Sequence, residues 1–175
     1  MYQVDERDRV VELDDVPQSS VGAPMPLVLA DERRAVLAYL IEERLPIWKK
    51  SKAQIERSSS EEEIAIISFD GPLAHVFGPP NDEAFVGHPL ASRGLSAYAA
   101  FRIENSSWIR QLERMNSVHP QHRPETFWRL QHLIFAFHDS TFECVCSSFA
   151  IAVVHGFSTA DAAPEMMKLL QREHL

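Results

Sequence analysis

Residues Gln131 to Cys146, QHLIFAFHDSTFECVC, set imidazole, two carboxylates, two hydroxyls and two thiols in an otherwise apolar run. Those groups are the raw material of acid–base chemistry. Read as a β-hairpin turning at Asp139 and Ser140, the stretch puts Phe135, Phe137, Phe142, Cys144 and Cys146 on one face. His138, Thr141 and Glu143 then fall on the other, because side chains alternate along a strand. In that register Glu143 lies one pair from His138, near enough to hydrogen-bond the imidazole and raise its basicity. His138 is thus the candidate general base, Glu143 its orienting partner and Asp139 a third candidate catalytic residue. A plainer reading makes residues 138–141 a tight turn in which Asp139 bonds its own backbone. His132 stands six residues from His138, roughly 20 Å along a continuous strand, so the two cannot share one metal.

A second cluster is GPPNDEAFVGHPL, Gly78 to Leu90, where Asn81, Asp82, Glu83 and His88 offer oxygen donors and an imidazole on a glycine-containing backbone. They are the candidate ligand-binding residues, for a cation or a polar molecule. The spacing matches neither a calcium loop nor a His-Glu-x-x-His helix, and Asn81 and Asp82 after Pro79 and Pro80 equally suit turn closure. His119 and His122 offer a weak third pair, but Pro120 and Pro124 make their segment read as exposed loop rather than a metal site. The only cysteines, Cys144 and Cys146, are too far apart along a strand for easy bridging and read as small core residues. There is no phosphate loop, nucleophile elbow or dinucleotide fingerprint, and no cofactor or metal is named by the pattern.

These clusters need elements to hold them. Val10 to Leu13 suggests a short strand. Leu27–Ala30 and Ala35–Ile41 read as two strands around Asp31, Glu32 and Arg33, although Val36, Leu37, Leu40 and Ile41 also fit a helical face. Lys49 to Glu63 is polar and reads as a solvated loop or frayed helix. Glu63 to Phe69 is an Ile-rich buried strand ended by Asp70, Gly71 and Pro72, and His75 to Phe77 adds a short one. Gly78 to Gly94 is a long irregular loop. Leu95 to Glu104 alternates as a half-buried strand, and Asn105 or Ser106 caps a helix with Trp108, Ile109, Leu112 and Met115 on its apolar side. Phe127–Phe137 and Phe142–Val154 form the long hairpin. Ser158 and Asp161 have capping-box spacing before a last helix with Met166, Met167, Leu169 and Leu170 inward.

The chain has 175 residues, 45% of them hydrophobic, which is enough for one domain with a buried core. Residues 1–25 read as a flexible acidic leader and 26–175 as one globular domain. The fold class is α+β, mainly an antiparallel sheet or sandwich with a few short packed helices. A net charge of −8 argues against broad nucleic-acid or anionic-lipid contact, and no stretch has the length of a membrane span. The expected setting is cytoplasmic, and an exposed sheet edge would permit a homodimer.

On the blocks PPNDEAFVGHPL and FHDSTFEC, with YAAFRIENSSWI between them, the chain resembles a family of small bacterial proteins without an assigned activity, over about Phe69 to Phe149. The resemblance implies no catalytic residue and marks these blocks as the family's recurring features. Two functional readings follow. One is a binding or interaction protein, for a protein or small-molecule partner, using the 78–94 loop as its recognition surface. The other is a hydrolytic or metal-assisted enzyme built on His138 and Glu143, with Asp82, Glu83 or His88 holding substrate or cation. That version requires the long loop to fold over the hairpin end.

Overall fold

A computed structural model describes residues 2–42 and 61–171. Among the described residues nine strands form two antiparallel sheets, as the α+β reading expects. Sheet one joins β1 (Arg9–Glu12), β6 (Ala100–Glu104), β7 (Gln131–Ala136), β8 (Thr141–Cys146) and β5 (Ala74–Gly78), in that order. Sheet two joins β2 (Leu27–Ala30), β3 (Arg34–Leu40), β4 (Glu62–Asp70) and β9 (Ser148–Gly156). Helix α1 spans Ser107–Asn116 and α2 spans Ala163–Gln171. Among the described residues no helix is long and apolar enough to cross a membrane.

Alternation along the strands builds one core between the sheets. Tyr39 and Phe69 from sheet two meet Phe135, Phe137 and Phe142 from sheet one, with Phe69 and Phe142 ring centroids 5.3 Å apart. Fully burying each such side chain contributes about 1.5–3 kcal/mol. Cys144 and Cys146 are unpaired thiols in this core. A hydrogen bond donated to the Cys146 sulfur, together with burial, pushes the Cys144 thiol above its ordinary range, so it is no nucleophile near neutral pH. The outer face of sheet two is covered by α2, whose Met166 packs on Val36, Ile64 and Ile66. The outer face of sheet one has two covers. Phe85, Leu90 and Leu95 lie over Phe101, Ile103 and Ile134, while Tyr2 and Trp108 lie over Val145.

Among the described residues the chain changes sheets three times, between β1 and β2, β4 and β5, and β8 and β9, and the last two changes are adjacent corners. Between β4 and β5 the Asp70, Gly71, Pro72 signal makes the turn, with Gly71 at φ +57° and its Cα side facing the Ser147 hydroxyl. A Cβ there would be strained and would lie 3.0 Å from Ser147 Oγ. The second corner is Ser147 itself, whose N–H donates to Asp70 O at 2.9 Å. It splits the expected Phe142–Val154 strand into β8 and β9, one in each sheet.

Other expectations shift at their ends. Both strands around Asp31 to Arg33 form, as β2 and β3, rather than a helix. Leu95 to Glu104 is strand only from Ala100, because Tyr98 adopts φ +63° in a turn that breaks the extended run. The strand expected from Phe127 starts at Gln131, after a 3-10 turn at Pro124–Thr126. Ser106 caps α1 and Asp161 accepts from Ser158 N at 3.0 Å, as read, but Met115 and Met167 point outward. Most of the Lys49 to Glu63 expectation falls outside the described residues.

The acidic N-terminal stretch is integrated rather than a loose leader. β1 pairs with β6, Tyr2, Asp8 and Val16 are buried, and Asp8 accepts from the Ser107 N–H at the start of α1. Arg93 donates to the carbonyls of Asp5 and Asp8, and Arg110 pairs with the Asp5 carboxylate at 2.6 Å. The Asp5 and Asp8 carboxylates therefore have specific partners, which composition alone does not reveal.

Candidate functional site

Glu143 sits near the middle of β8, opposite Ile134 on β7 and Val76 on β5, with its side chain on the outer face of sheet one. It lies in the seam between the two covers of that face and is only 5% exposed. Three donors converge on its carboxylate. Tyr2 donates its phenol to Oε2 at 2.9 Å, His132 Nε2 is 3.1 Å from the same oxygen, and His88 Nε2 is 3.1 Å from Oε1.

Each donor is positioned by local sequence. His88 precedes Pro89, which disfavours helical backbone, and it is extended at φ −66°, ψ 135° after the Phe85–Gly87 turn. The Leu90 N–H donates to His88 Nδ1 at 3.1 Å, so that nitrogen is bare and the proton of the neutral ring is on Nε2, facing Glu143. His132 is two residues along β7 from Ile134, hence diagonal to Glu143 on the same face. Its Nδ1 lies 2.8 Å from Ser106 Oγ, the cap of α1. Tyr2 stacks on Trp108 at 5.2 Å and meets the His132 ring edge-on.

The electrostatics follow from these contacts. Burial alone would raise the Glu143 carboxyl, but hydrogen bonds from His132 and His88 outweigh it and hold the group down at about 2. Burial lowers the His132 imidazole despite the opposing pull of Glu143. Burial and the Glu143 charge both push the Tyr2 phenol far upward. At neutral pH the cluster is therefore one carboxylate held by three neutral donors. No arginine or lysine among the described residues contacts it.

A second cluster forms where the long loop crosses the hairpin end. Asp82 N–H donates to His138 O at 2.9 Å and Thr141 donates to Pro80 O at 2.9 Å, so the loop does fold over this end of the sheet. His138 Nδ1 is 3.0 Å from Asp82 Oδ2 and 2.8 Å from the Tyr98 hydroxyl, which itself donates to Asp82. The hydrogen bond to Asp82, aided by desolvation, raises the Tyr98 phenol to about 12, and the same bond lowers the Asp82 carboxyl. The His138 side chain is 42% exposed.

The structure therefore re-pairs the sequence candidates. Glu143 does not orient His138: it holds His88 and His132, while Asp82 takes the place beside His138. The hairpin turns over residues 137–140, with Phe137 N bonded to Ser140 O, which shifts the pairing by two residues from a turn at Asp139 and Ser140. A two-residue shift keeps every side chain on its face. It moves Glu143 from the neighbourhood of His138 to that of His132, the histidine that distance from His138 had set aside. Asp139 is 87% exposed and 3.9 Å from His138 Nε2, outside hydrogen-bond reach.

In the loop, Asn81 Oδ1 accepts from Ala84 N and Asp82 Oδ1 from Glu83 N, while Glu83 faces solvent and His88 turns inward. Asn81, Asp82, Glu83 and His88 thus form no joint ligand set. Among the described residues no group of three or more His, Cys, Asp or Glu side chains is arranged to hold a metal ion. At His88 the reason is chemical, since its Nε2 carries the proton and has no lone pair for a metal. Tyr2 carried no local signal, and Ser106 and Trp108 were legible as a helix cap and an apolar-face residue with nothing to link them to Glu143. Tyr2 and Glu143 are 141 residues apart in sequence.

A cavity of about 260 Å³ opens onto Glu143 and is lined also by Tyr2, Val76, Trp108 and Gln111. A larger one, about 520 Å³, lies on the other side of α1 and includes Arg7, Arg102, Arg110 and the exposed Trp128. Its arginines are matched by carboxylates, Arg7 and Arg110 with Asp5 and Arg102 with Glu104. No family profile, curated protein or solved structure matches the chain.

Proposed function

We propose that this protein binds a small molecule in the cavity between α1 and sheet one, with Glu143 as the polar anchor. The observation that carries the reading is a buried carboxylate, fixed by His88, His132 and Tyr2, that forms part of a cavity wall with Trp108 and Gln111. Ligand sites combine apolar walls with a few fixed polar groups in this way. The 78–94 loop takes part through His88, which locks one carboxylate oxygen, instead of through an open surface of Asn81, Asp82 and Glu83. The two blocks that resemble the small bacterial family each supply one partner to both pairs, His88 with Glu143 and Asp82 with His138. Ligand-observed NMR with single-ring fragments tests the reading. Binding is expected in the unaltered chain and lost in Gln111→Trp, which fills the cavity. Fragments that bind both proteins alike, or neither, would remove it.

A second reading rests on Asp82 and His138. An imidazole with Nδ1 held by a carboxylate and Nε2 toward solvent has the arrangement of a general base. Hydrolysis of an activated ester faster than by free imidazole, and lost in His138→Ala, would support it. Equal rates would end it.

A further inference from the structure

We infer that the ligand of the Glu143 cavity is a small organic ammonium ion, held between the Glu143 carboxylate, the Gln111 amide and the aromatic pair Tyr2 and Trp108. The inference rests on the reading of this cavity as a binding site.

The donor count is the first argument. A carboxylate offers about four lone-pair positions, and Tyr2, His88 and His132 take three. One acceptor position remains on a group that borders the cavity. Charge is the second. The Leu90 N–H fixes His88 as a neutral donor, and Tyr2 is a phenol, so these hydrogen bonds spread the negative charge without cancelling it. An anion buried without a counter-charge is costly, and that cost is what an entering cation relieves. An anionic ligand meets repulsion, and a neutral one gains a hydrogen bond to the carboxylate, whereas the ammonium adds to that bond a charge–charge attraction in a poorly solvated site.

The walls argue for an organic ion rather than a metal. Aromatic faces attract ammonium groups, and Val76 offers an apolar surface to the remainder of the molecule. A metal would need several lone pairs, whereas His88 directs a proton at the carboxylate. At about 260 Å³ the space is just below the roughly 300–1,000 Å³ usual for ligand sites, which suits one ring or a short chain.

Benzylamine, benzyl alcohol and benzoate share a ring and differ in charge. Titrated calorimetrically into the full chain at neutral pH, benzylamine should bind about tenfold or more tighter than the alcohol, with benzoate not binding. Glu143→Gln, close in shape, should bring benzylamine down to the affinity of the alcohol. Equal affinity for amine and alcohol, or preference for benzoate, would overturn the ammonium inference and leave the cavity reading standing. Binding of none of the three would overturn both. Should Glu143→Gln fail to fold, the charge series on the unaltered chain decides alone.

Discussion

Two clusters of the same composition, a carboxylate with histidine and tyrosine, sit on sheet one in different surroundings. Around Glu143 the groups are buried under Tyr2 and Trp108, and every donor has one fixed partner. Around Asp82 the same chemistry lies at the hairpin end, with His138 42% exposed. Water can stand in for a missing partner far more readily in the second cluster than in the first, where Glu143 is only 5% exposed. Burial, more than residue type, therefore decides which carboxylate is a fixed charge facing a cavity and which is a surface pair.

The sharpest way to break this contrast is to remove each carboxylate in turn. Glu143→Leu strands three buried donors and should lower unfolding stability by about 3–5 kcal/mol in urea titrations. Asp82→Ala should move the midpoint much less, because His138 is 42% exposed and solvent screens its pairing with Asp82. Similar destabilisation at both positions would erase the distinction.

Acid gives the next largest effect. The Glu143 carboxyl is held at about 2 in the fold against an ordinary 4.5, so its stabilisation is complete above 4.5 and drains away as pH falls toward 2. The shift corresponds to on the order of 3 kcal/mol. His132, lowered by burial, acts in the same direction from about pH 6.5 downward, since the unfolded chain takes up its proton first. The melting temperature should fall steadily from pH 7 to pH 3, and Glu143→Gln should flatten the part below pH 4.5. A flat profile in the unaltered chain would contradict the account.

Tyr2→Phe removes one of the three donors and should cost about 1–2 kcal/mol, less than the loss of the carboxylate because two imidazoles still hold it. The smallest change is spectroscopic. In Asp82→Asn the Tyr98 phenol, at about 12 in the fold, should titrate closer to 10 with stability unchanged. A phenol still near 12 would mean that Asp82 is not its partner.

The sheets were largely legible from the chain because alternation reports directly on a two-sided strand, as in Phe135, Phe137, Phe142, Cys144 and Cys146, all in the core. Ends were less so where one residue decides: Ser147 moves the chain between sheets, and Tyr98 at positive φ ends an otherwise well-patterned strand. Glu143, His88, Asp82 and His138 were all visible as polar groups in apolar surroundings. Their pairing was not, because a two-residue difference in hairpin register leaves the hydrophobic pattern intact while exchanging His138 for His132. Tyr2 and Trp108 arrive through packing against residues distant in sequence, which no local pattern encodes.

The central claim is that Glu143 is a carboxylate held ionised by neutral donors, and NMR tests it most directly. The side-chain carboxyl carbon of Glu143 should titrate near 2, with the ring nitrogens of His88 and His132 at pH 7 showing neutral imidazoles protonated on Nε2. A Glu143 carbon titrating between 4 and 6, or an imidazolium signal from His132 at pH 7, would contradict it.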